Sequence, residues 1–131
     1  MNIWYGTGEA SWLSNLARRP FVDKNGVAYK SVEHAYQTWK AGSFDARVYA
    51  QPWKEGSKFI GKRKPKTADN WNLALMKEIM RASFNQNPAV KKALMATAGT
   101  QFTHIQDKGI WAKEFPKILM EIREEYLATD S

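Results

Sequence analysis

The sequence predicts a mainly α fold of the α+β class: a multi-helix domain with one small β-hairpin near its N-terminus. After Ser31, apolar residues recur at the spacing of amphipathic helices. Before Tyr29, the chain contains only short β-like pieces separated by turn residues. The 131 residues, 44% of them apolar and 25% charged, match the size and composition of one soluble globular domain. We therefore expect a single domain over residues 1–131.

The hairpin is predicted between residues 20 and 29. Two short β-like segments, Pro20-Phe21-Val22 and Val27-Ala28-Tyr29, flank Asp23-Lys24-Asn25-Gly26. Asn-Gly adopts the positive φ angles that tight hairpin turns require. Ile3-Trp4-Tyr5 is a further candidate strand, ended by the glycines that follow it.

The first helix is predicted from Ser31 to about Gly42. Serine is a favoured N-cap because its hydroxyl accepts a hydrogen bond from a free backbone N–H of the first turn. The apolar side chains then recur at i, i+3, i+4 and i+7, which places them on one face. These residues are Val32, Ala35, Tyr36 and Trp39.

Residues 46–66 are divided by proline and glycine into short helices or loops. Thr67 or Asp69 is expected to cap a longer helix that follows. The residues of that helix at helical spacing are Asn72, Leu75, Met76, Ile79, Met80 and Phe84.

Two more helices are predicted at the C-terminal end. Asn87-Pro88 is typical of a helix start, since Asn caps and Pro suits the first helical position. This helix is expected to end near Gly99, and Pro116 is expected to open the last helix. The inward residues of the last helix are predicted to be Leu119, Ile122 and Tyr126.

The residue types exclude several classes of site. Without cysteine, the chain has no disulfide, no thiolate nucleophile and no cysteine-based zinc site. His34 and His104 lack metal-ligand spacing, and no GxGxxG or GxxxxGK[ST] motif occurs. We predict neither a metal nor a cofactor. No apolar run approaches the roughly 18 residues of a membrane span, and the first residues do not resemble a signal peptide. A cytoplasmic protein without membrane contact is therefore expected.

The chain carries a net charge of +7, which favours phosphates, nucleotides or nucleic acid as partners. Residues 54–66 hold six Lys or Arg side chains and one Glu. Lys62, Arg63 and Lys64 follow Gly61, so we expect them to contact a phosphate group; a merely solvated loop is the alternative. The six tryptophans suit either an aromatic core or a site where flat ligands stack.

The first helix carries the candidate chemistry. Glu33, Gln37 and Lys40 lie at i, i+4 and i+7 in one stripe, with Tyr36 at its border. Near a helix N-terminus, the dipole and free N–H groups favour the charged form of a carboxylate. An ionised Glu33 would activate water or stabilise a developing cation. An ordinary solvated face with helix side-chain pairs is the alternative.

The sequence resembles the NADAR family over nearly the whole domain, in order. The most specific match is the run Ser31-Val32-Glu33-His34 with Tyr36-Gln37 and Lys40. The other matches are Leu13-Ser14-Asn15, Pro20-Phe21, Gly26, Tyr29, Gly61, Trp71, Asn87-Pro88, Ala96-Thr97-Ala98-Gly99, Asp107, Trp111 and Leu119-Met120-Glu121-Ile122-Arg123.

This resemblance implies a mainly helical hydrolase of N-glycosidic bonds. Family members cleave ribosyl–base bonds in phosphorylated riboflavin-pathway intermediates, and others act in ADP-ribose metabolism, including removal of ADP-ribose from guanine bases. By matching position, Glu33 and Asp107 become the acidic site residues and Trp71 an aromatic site residue. We expect the substrate to be bound by Asn15, Tyr36, Gln37, Lys40, Lys62, Arg63 and Lys64.

The chain departs from the family pattern at two places. Position 35 is Ala where the family has an aromatic residue, and Trp111 is followed by Ala112-Lys113-Glu114 instead of the family's WGxG continuation. One pocket wall is therefore expected to be shorter or differently built. These departures bear on substrate identity more than on reaction class.

The leading hypothesis is a metal-independent N-glycosidase acting on a phosphorylated ribosyl or ADP-ribosyl compound, with an ADP-ribosylated nucleic acid as one possible substrate. Either Glu33 or Asp107 would stabilise the cation and activate water, with Trp71 or Tyr36 as the platform for the base. A non-catalytic nucleotide or nucleic-acid binding module is the alternative, and a family-shaped protein without activity is a third. Single-strand binding predicts exposed aromatics interleaved with basic residues, whereas here the aromatics fall on helical faces.

Overall fold

The computed structural model describes residues 1–3, 5, 10–54, 58–107 and 109–130. These residues form a mainly helical domain with a small two-stranded sheet, which confirms the predicted fold class. None of the described helices is both long and apolar enough to cross a membrane. The elements are the helices α1 (Val32–Trp39), α2 (Ala46–Tyr49), α3 (Trp71–Asn85), α4 (Pro88–Met95) and α5 (Trp111–Asp130), the strands β1 (Phe21–Val22) and β2 (Ala28–Tyr29), and 3-10 turns at Ser11–Leu13 and Ala68–Asn70.

The predicted hairpin is confirmed. Strands β1 and β2 are antiparallel, with Phe21 opposite Tyr29. Gly26 has φ of 82° in the connecting turn. The Asp23 carboxylate accepts the Val27 N–H (2.9 Å) and the Tyr29 hydroxyl (2.7 Å), and these bonds close the turn.

The N-terminal candidate strand is only partly described, because Trp4, Gly6 and Gly8 lie outside the described residues. Its described start makes a parallel bridge between Asn2 and Thr103. The Ile3 N–H donates to the Thr103 carbonyl at 2.8 Å, which brings the chain start to the segment that precedes α5.

Helix α1 begins as predicted. The Ser31 hydroxyl accepts the His34 N–H at 3.1 Å, and Val32, Ala35 and Tyr36 are buried. The helix ends at Trp39, three residues before the predicted end. Trp39 is partly buried, and its indole N–H donates to the Tyr29 hydroxyl at 2.8 Å.

The predicted cap of the long helix is wrong. Helix α3 begins at Trp71, and neither Thr67 nor Asp69 accepts a capping hydrogen bond from its first turn. Instead Asp69 and Asn70 adopt φ angles of 53° and 56° and turn the chain sharply into α3. Asp and Asn tolerate this left-handed conformation better than other non-glycine residues, because their short polar side chains can hydrogen-bond locally. The core-facing residues were predicted correctly, with Asn72, Met76, Ile79, Met80 and Phe84 buried and Leu75 partly buried.

Helix α4 begins at Pro88, as predicted. The Asn87 amide does not cap it. It donates instead to the carbonyls of Pro20 (2.9 Å) and Ser83 (2.7 Å), and so joins the hairpin to the end of α3. The helix ends at Met95, and Gly99 follows in a turn with φ of 82°.

The predicted start of the last helix is also wrong. Helix α5 begins at Trp111, and Pro116 lies inside it. Proline there removes only one helical N–H. The observed helix is five residues longer at its start than the predicted one, and these residues include Phe115, which is buried in the core. The packing of Phe115 outweighs the weak helical propensity of Pro116. Leu119, Ile122 and Tyr126 face inward as predicted.

One charged side chain lies deep in the fold. The Arg19 guanidinium is 2% exposed and lies 4.4 Å from the centre of the Phe84 ring. It donates to the Ser83 hydroxyl (2.8 Å) and to the carbonyls of Trp12 (2.9 Å) and Ser14 (3.2 Å). Burial lowers the pKa of Arg19 to about 10, so it is charged at neutral pH. Arg19 thereby joins the irregular N-terminal segment to α3.

We expect Arg19→Met to destabilise the protein by at least about 3 kcal/mol, because Met keeps contact with Phe84 but leaves three acceptors without their donor. Urea unfolding measures this difference. The control is Arg18→Met: this exposed side chain stacks on Trp53, at 5.1 Å, so the loss should stay below about 1 kcal/mol. Equal losses in the two variants would show that Arg19 does not hold the segment.

Candidate active site

A cavity of about 340 Å³ opens beside the N-terminal half of α1. Its walls are α1, the first turns of α5, the segment 14–16 and the segment 104–107. The lining combines two carboxylates, one lysine, one histidine and several aromatic rings, which is a mixture suited to a polar ligand that also has a flat part. The lining residues are Tyr5, Ser14, Asn15, Leu16, Glu33, Tyr36, Gln37, Lys58, Met76, His104, Gln106, Asp107, Trp111 and Phe115.

Asn15 joins the N-terminal segment to the helix that carries Glu33. Its carbonyl accepts the Glu33 N–H at 3.0 Å, so one of the free donors of the first turn of α1 is satisfied by another segment. Its side-chain amide lies 3.5 Å from the Met76 sulfur. The Asn15 Oδ1 atom is buried and has no hydrogen-bond partner among the described residues, which leaves an acceptor at the cavity wall.

The Glu33 carboxyl group lies in a poorly solvated part of this wall. Burial raises its pKa, and the nearby Asp107 charge raises it further. A hydrogen bond from the Gln37 amide (3.2 Å) and the charges of Lys58 and Lys40 lower the pKa, but burial outweighs them. The expectation that the helix N-terminus favours the charged form is therefore overruled by desolvation. A carboxyl group with a raised pKa is a better proton acceptor than an ordinary one.

Two aromatic rings lie beside Glu33. Tyr36 is buried on α1, and Trp111 begins α5, with 5.4 Å between their ring centres in an edge-to-face arrangement. Burial raises the pKa of the Tyr36 hydroxyl, while the Asn72 side chain lowers it. Both rings line the cavity and offer surface to a flat ligand.

The second carboxylate comes from the segment that precedes α5. Asp107 lines the same cavity as Glu33, although 74 positions separate them in the sequence. Its Oδ1 atom accepts the Gly109 N–H at 3.0 Å, and its Oδ2 atom lies 3.9 Å from Nε2 of His104. The structure thus brings together the two acidic residues that the sequence indicated.

Lys40 lies behind the cavity wall. Its ammonium group donates to the Gly61 carbonyl at 3.1 Å, and its charge lowers the pKa of Glu33 without the side chain lining the cavity. Gly61 packs tightly against this stripe: a Cβ atom there would lie 3.1 Å from the Gln37 Oε1 atom and 3.2 Å from the Lys40 Cε atom. The glycine is therefore needed for close packing of this loop on α1.

The predicted phosphate-contacting residues are not part of this cavity. Lys62 and Lys64 are exposed on the loop that follows Gly61. The Arg63 guanidinium donates to the carbonyl and the hydroxyl of Ser43 instead of facing the site. The basic residue of the segment that does line the cavity is Lys58.

Trp71 is placed in a second cavity, of about 280 Å³, between the hairpin, α1 and α3. It shares that cavity with Tyr29 and Trp39, and the Lys66 ammonium lies 5.2 Å from the centre of its ring. A different face of α1 borders each cavity, because Ala35 and Trp39 face the second one while Glu33 and Gln37 face the first. The structure therefore does not bring Trp71 to Glu33 and Asp107.

Sequence reasoning missed several cavity residues. Lys58 lies in the basic segment, but the sequence does not show which lysine of that segment faces the cavity. His104 precedes Asp107 by three residues and was considered only as a metal ligand. Nothing in the sequence marked Tyr5 or Gln106 as a site residue.

Among the described residues, no three His, Asp or Glu side chains form a group that could hold a metal ion. His34 lies in the core instead. Its Nδ1 atom accepts the Lys30 N–H at 3.1 Å, and its Nε2–H donates to the Tyr49 carbonyl at 3.0 Å.

No protein-family model and no curated protein sequence match this chain. Among solved structures, the chain is similar to the NMR structure of the E. coli protein YbiA. The TM-score is 0.75, and the match covers 99% of this chain and 86% of YbiA at 19% sequence identity. At this identity, the likeness shows a shared fold.

The raised pKa of Glu33 predicts how stability depends on pH. Protonated Glu33 stabilises the fold below its ordinary pKa near 4.3, and this contribution is lost as pH rises through the raised folded-state pKa. Glu33→Gln, which keeps the shape without the charge, should therefore melt above the wild type at neutral pH. The difference should vanish below about pH 4. Thermal melting across pH 3–8 measures it.

Glu125 supplies a control of opposite sign. Its carboxylate lies 2.9 Å from Lys77 and 2.8 Å from Arg81, and these partners hold its pKa below the usual range. Glu125→Gln should melt slightly below the wild type at neutral pH, because it loses less than about 1 kcal/mol of unfolding free energy. This loss should again vanish in acid. If Glu33→Gln melted below the wild type at neutral pH, as Glu125→Gln should, the conclusion that Glu33 is desolvated would be contradicted.

Proposed function

We propose that this protein hydrolyses the N-glycosidic bond between a ribose-type sugar and a base in a phosphorylated, nucleotide-like compound. The observation that carries the proposal is the pair of carboxylates, Glu33 and Asp107, on the walls of one cavity that also contains aromatic rings and a lysine. Cleavage of such a bond passes through a cation-like sugar, and carboxylates suit both the stabilisation of that cation and the activation of water.

The two carboxylates take different roles in this proposal. Glu33 accepts a proton from the attacking water, because burial raises its pKa and makes it a stronger base than an ordinary glutamate. Asp107, fixed by the Gly109 N–H, stabilises the positive charge that develops on the sugar. Gln37 holds the Glu33 carboxyl group through its amide. No metal takes part in this scheme.

Tyr36 and Trp111 form the platform for the departing base, since both rings line the cavity with Glu33. Stacking of a base on an aromatic side chain contributes roughly 1–3 kcal/mol. The Asn15 Oδ1 atom, which has no partner among the described residues, is available to a donor group of the base or sugar. Lys58 is the cavity cation that would hold a phosphate group.

The NADAR resemblance of the Ser31–Lys40 region supports this reaction class, and the fold shared with YbiA is compatible with it. Phosphorylated riboflavin-pathway intermediates and ADP-ribosyl groups on guanine are the substrate types proposed from that resemblance. A cytoplasmic location is part of the same proposal.

A binding module without catalysis is the second candidate, and the exposed Lys62 and Lys64 outside the cavity favour it. In that case, the protein would bind generic DNA or RNA with an affinity that falls steeply with salt, and it would release no base from any glycoside.

Incubation with a panel of riboflavin intermediates, nucleoside monophosphates and ADP-ribosylated guanine tests the reaction. We expect release of free base and sugar phosphate from at least one member, measured by chromatography with mass detection. Asp107→Asn should lower that turnover by about 100-fold. The control Asp69→Asn, in an exposed turn that Asn also adopts, should keep it. Release of no base from any member would remove the hydrolase proposal.

The phosphate anchor is tested with paired substrates. Lys58→Met should raise KM about 10-fold or more for a phosphorylated substrate and change it little for the dephosphorylated counterpart, since charged hydrogen bonds contribute roughly 1.5–3 kcal/mol. The triple variant Lys62→Ala, Arg63→Ala, Lys64→Ala tests the alternative that the phosphate is held by the outer loop. If only the triple variant discriminates between the two substrates, the anchor lies on the outer loop and not on Lys58.

A further inference from the structure

His104 has a fixed orientation at the cavity wall. Its Nδ1 atom lies 2.8 Å from the Ile3 carbonyl oxygen. A carbonyl oxygen accepts hydrogen bonds and cannot donate, so Nδ1 carries the hydrogen and the remaining titratable position of the ring is Nε2. Ile3 is fully buried, and its N–H is bonded to Thr103, so the carbonyl that holds the ring is itself held.

The Nε2 atom of His104 faces the second carboxylate across a gap. It lies 3.9 Å from Asp107 Oδ2, which is longer than the roughly 3.2 Å limit of an N–H···O hydrogen bond. The Phe115 ring packs edge-to-face against the imidazole of His104, with 5.1 Å between the ring centres. The protein therefore holds Nε2 beside the Asp107 carboxylate without engaging it in a direct hydrogen bond, so Nε2 remains open to a ligand in the cavity.

We infer that His104 is the general acid that protonates the departing base. The inference rests on the proposed hydrolysis and adds a catalytic residue to it. Bases such as guanine or a pyrimidine leave a ribosyl group poorly as anions, so a proton donor within the cavity lowers the barrier.

The step balances as follows. The bond between the anomeric carbon and the base nitrogen breaks, and its electron pair goes to the base, which takes the Nε2 proton of the imidazolium. Water adds to the anomeric carbon and gives its proton to the carboxylate of Glu33. That proton returns through the open cavity to His104, so the products are the hydroxylated sugar and the protonated, neutral base.

Asp107 and Glu33 carry the negative charges of the cavity lining that includes His104, and Lys58 carries a positive one. Tyr5 and Tyr36 line the same cavity. A general acid works in its protonated form, so this role predicts that kcat/KM falls on the alkaline side of the pH profile.

Two substitutions separate the acid from a structural role. In His104→Asn, the side-chain amide takes the place of Nδ1 and keeps a donor for the Ile3 carbonyl, but no titratable proton remains. In His104→Gln, the amide reaches the Nε2 position but the Ile3 contact is lost. Ile105→Ala is the matched control in the same segment, since Ile105 is 73% exposed and does not line the cavity.

The experiment compares two leaving groups on the same sugar phosphate: the base of the best substrate from the panel, and 4-nitrophenolate, which departs without protonation. We expect His104→Asn to lower kcat/KM at least about 100-fold for the base and less than about threefold for 4-nitrophenolate. Both variants should lose the alkaline limb of the pH profile with the base, whereas Ile105→Ala should keep the wild-type rate and profile.

Each outcome decides one part of the account. Equal losses for the two leaving groups, or an unchanged alkaline limb in both variants, would overturn the role of His104 while leaving the hydrolase standing. A wild type that cleaves neither compound would overturn the hydrolase and the acid together. If His104→Asn fails to fold, His104→Gln carries the same leaving-group comparison.

Discussion

A buried guanidinium without a described carboxylate partner holds the fold where the cavity forms. Arg19 binds two carbonyls of the N-terminal segment and one hydroxyl of α3, and it packs on Phe84. The same segment carries Asn15, whose carbonyl accepts the Glu33 N–H. The position of Glu33 therefore depends on a chain of contacts that starts in the core at Arg19. The segment from Trp12 to Arg19 connects that core to the first turn of α1.

Charge is distributed unevenly between the cavity and the outer surface. The protein is strongly basic, yet the cavity contains two carboxylates and one lysine. A basic exterior attracts anionic compounds over long range. Lys58 lines the cavity, whereas Lys62 and Lys64 of the same 54–66 segment are exposed outside it.

The parts of the fold that follow from local spacing were predictable. Ser31, the apolar face of α1 and the Asn25-Gly26 turn each depend on neighbours within a few residues, so the sequence predicts them. The start of α5 depends on long-range burial of Phe115, and the entry to α3 depends on two residues in a left-handed conformation. Neither effect is visible in a pattern of helical spacing, because tertiary packing and turn chemistry decide them.

For the site, the sequence predicted Glu33, Gln37 and Lys40 by their helical stripe, Tyr36 at the border of that stripe, and Asp107 by resemblance. It could not show that Trp71 lies across α1 in a second cavity, nor that Lys58 is the lysine of the first, since both depend on how distant segments pack. His104 shows the same limit: its partner Ile3 is 101 positions away in the sequence. Pairings of this kind follow from the fold and not from any local pattern.

The proposed hydrolysis requires the Glu33 carboxylate to accept a proton from the attacking water. Steady-state turnover of Glu33→Gln on the best substrate of the wild type tests it most directly, with thermal melting of the same preparation. We expect kcat to fall at least about 100-fold in a protein at least as stable as the wild type at neutral pH. Undiminished turnover together with a lowered melting temperature would show that Glu33 is a structural residue and not the base.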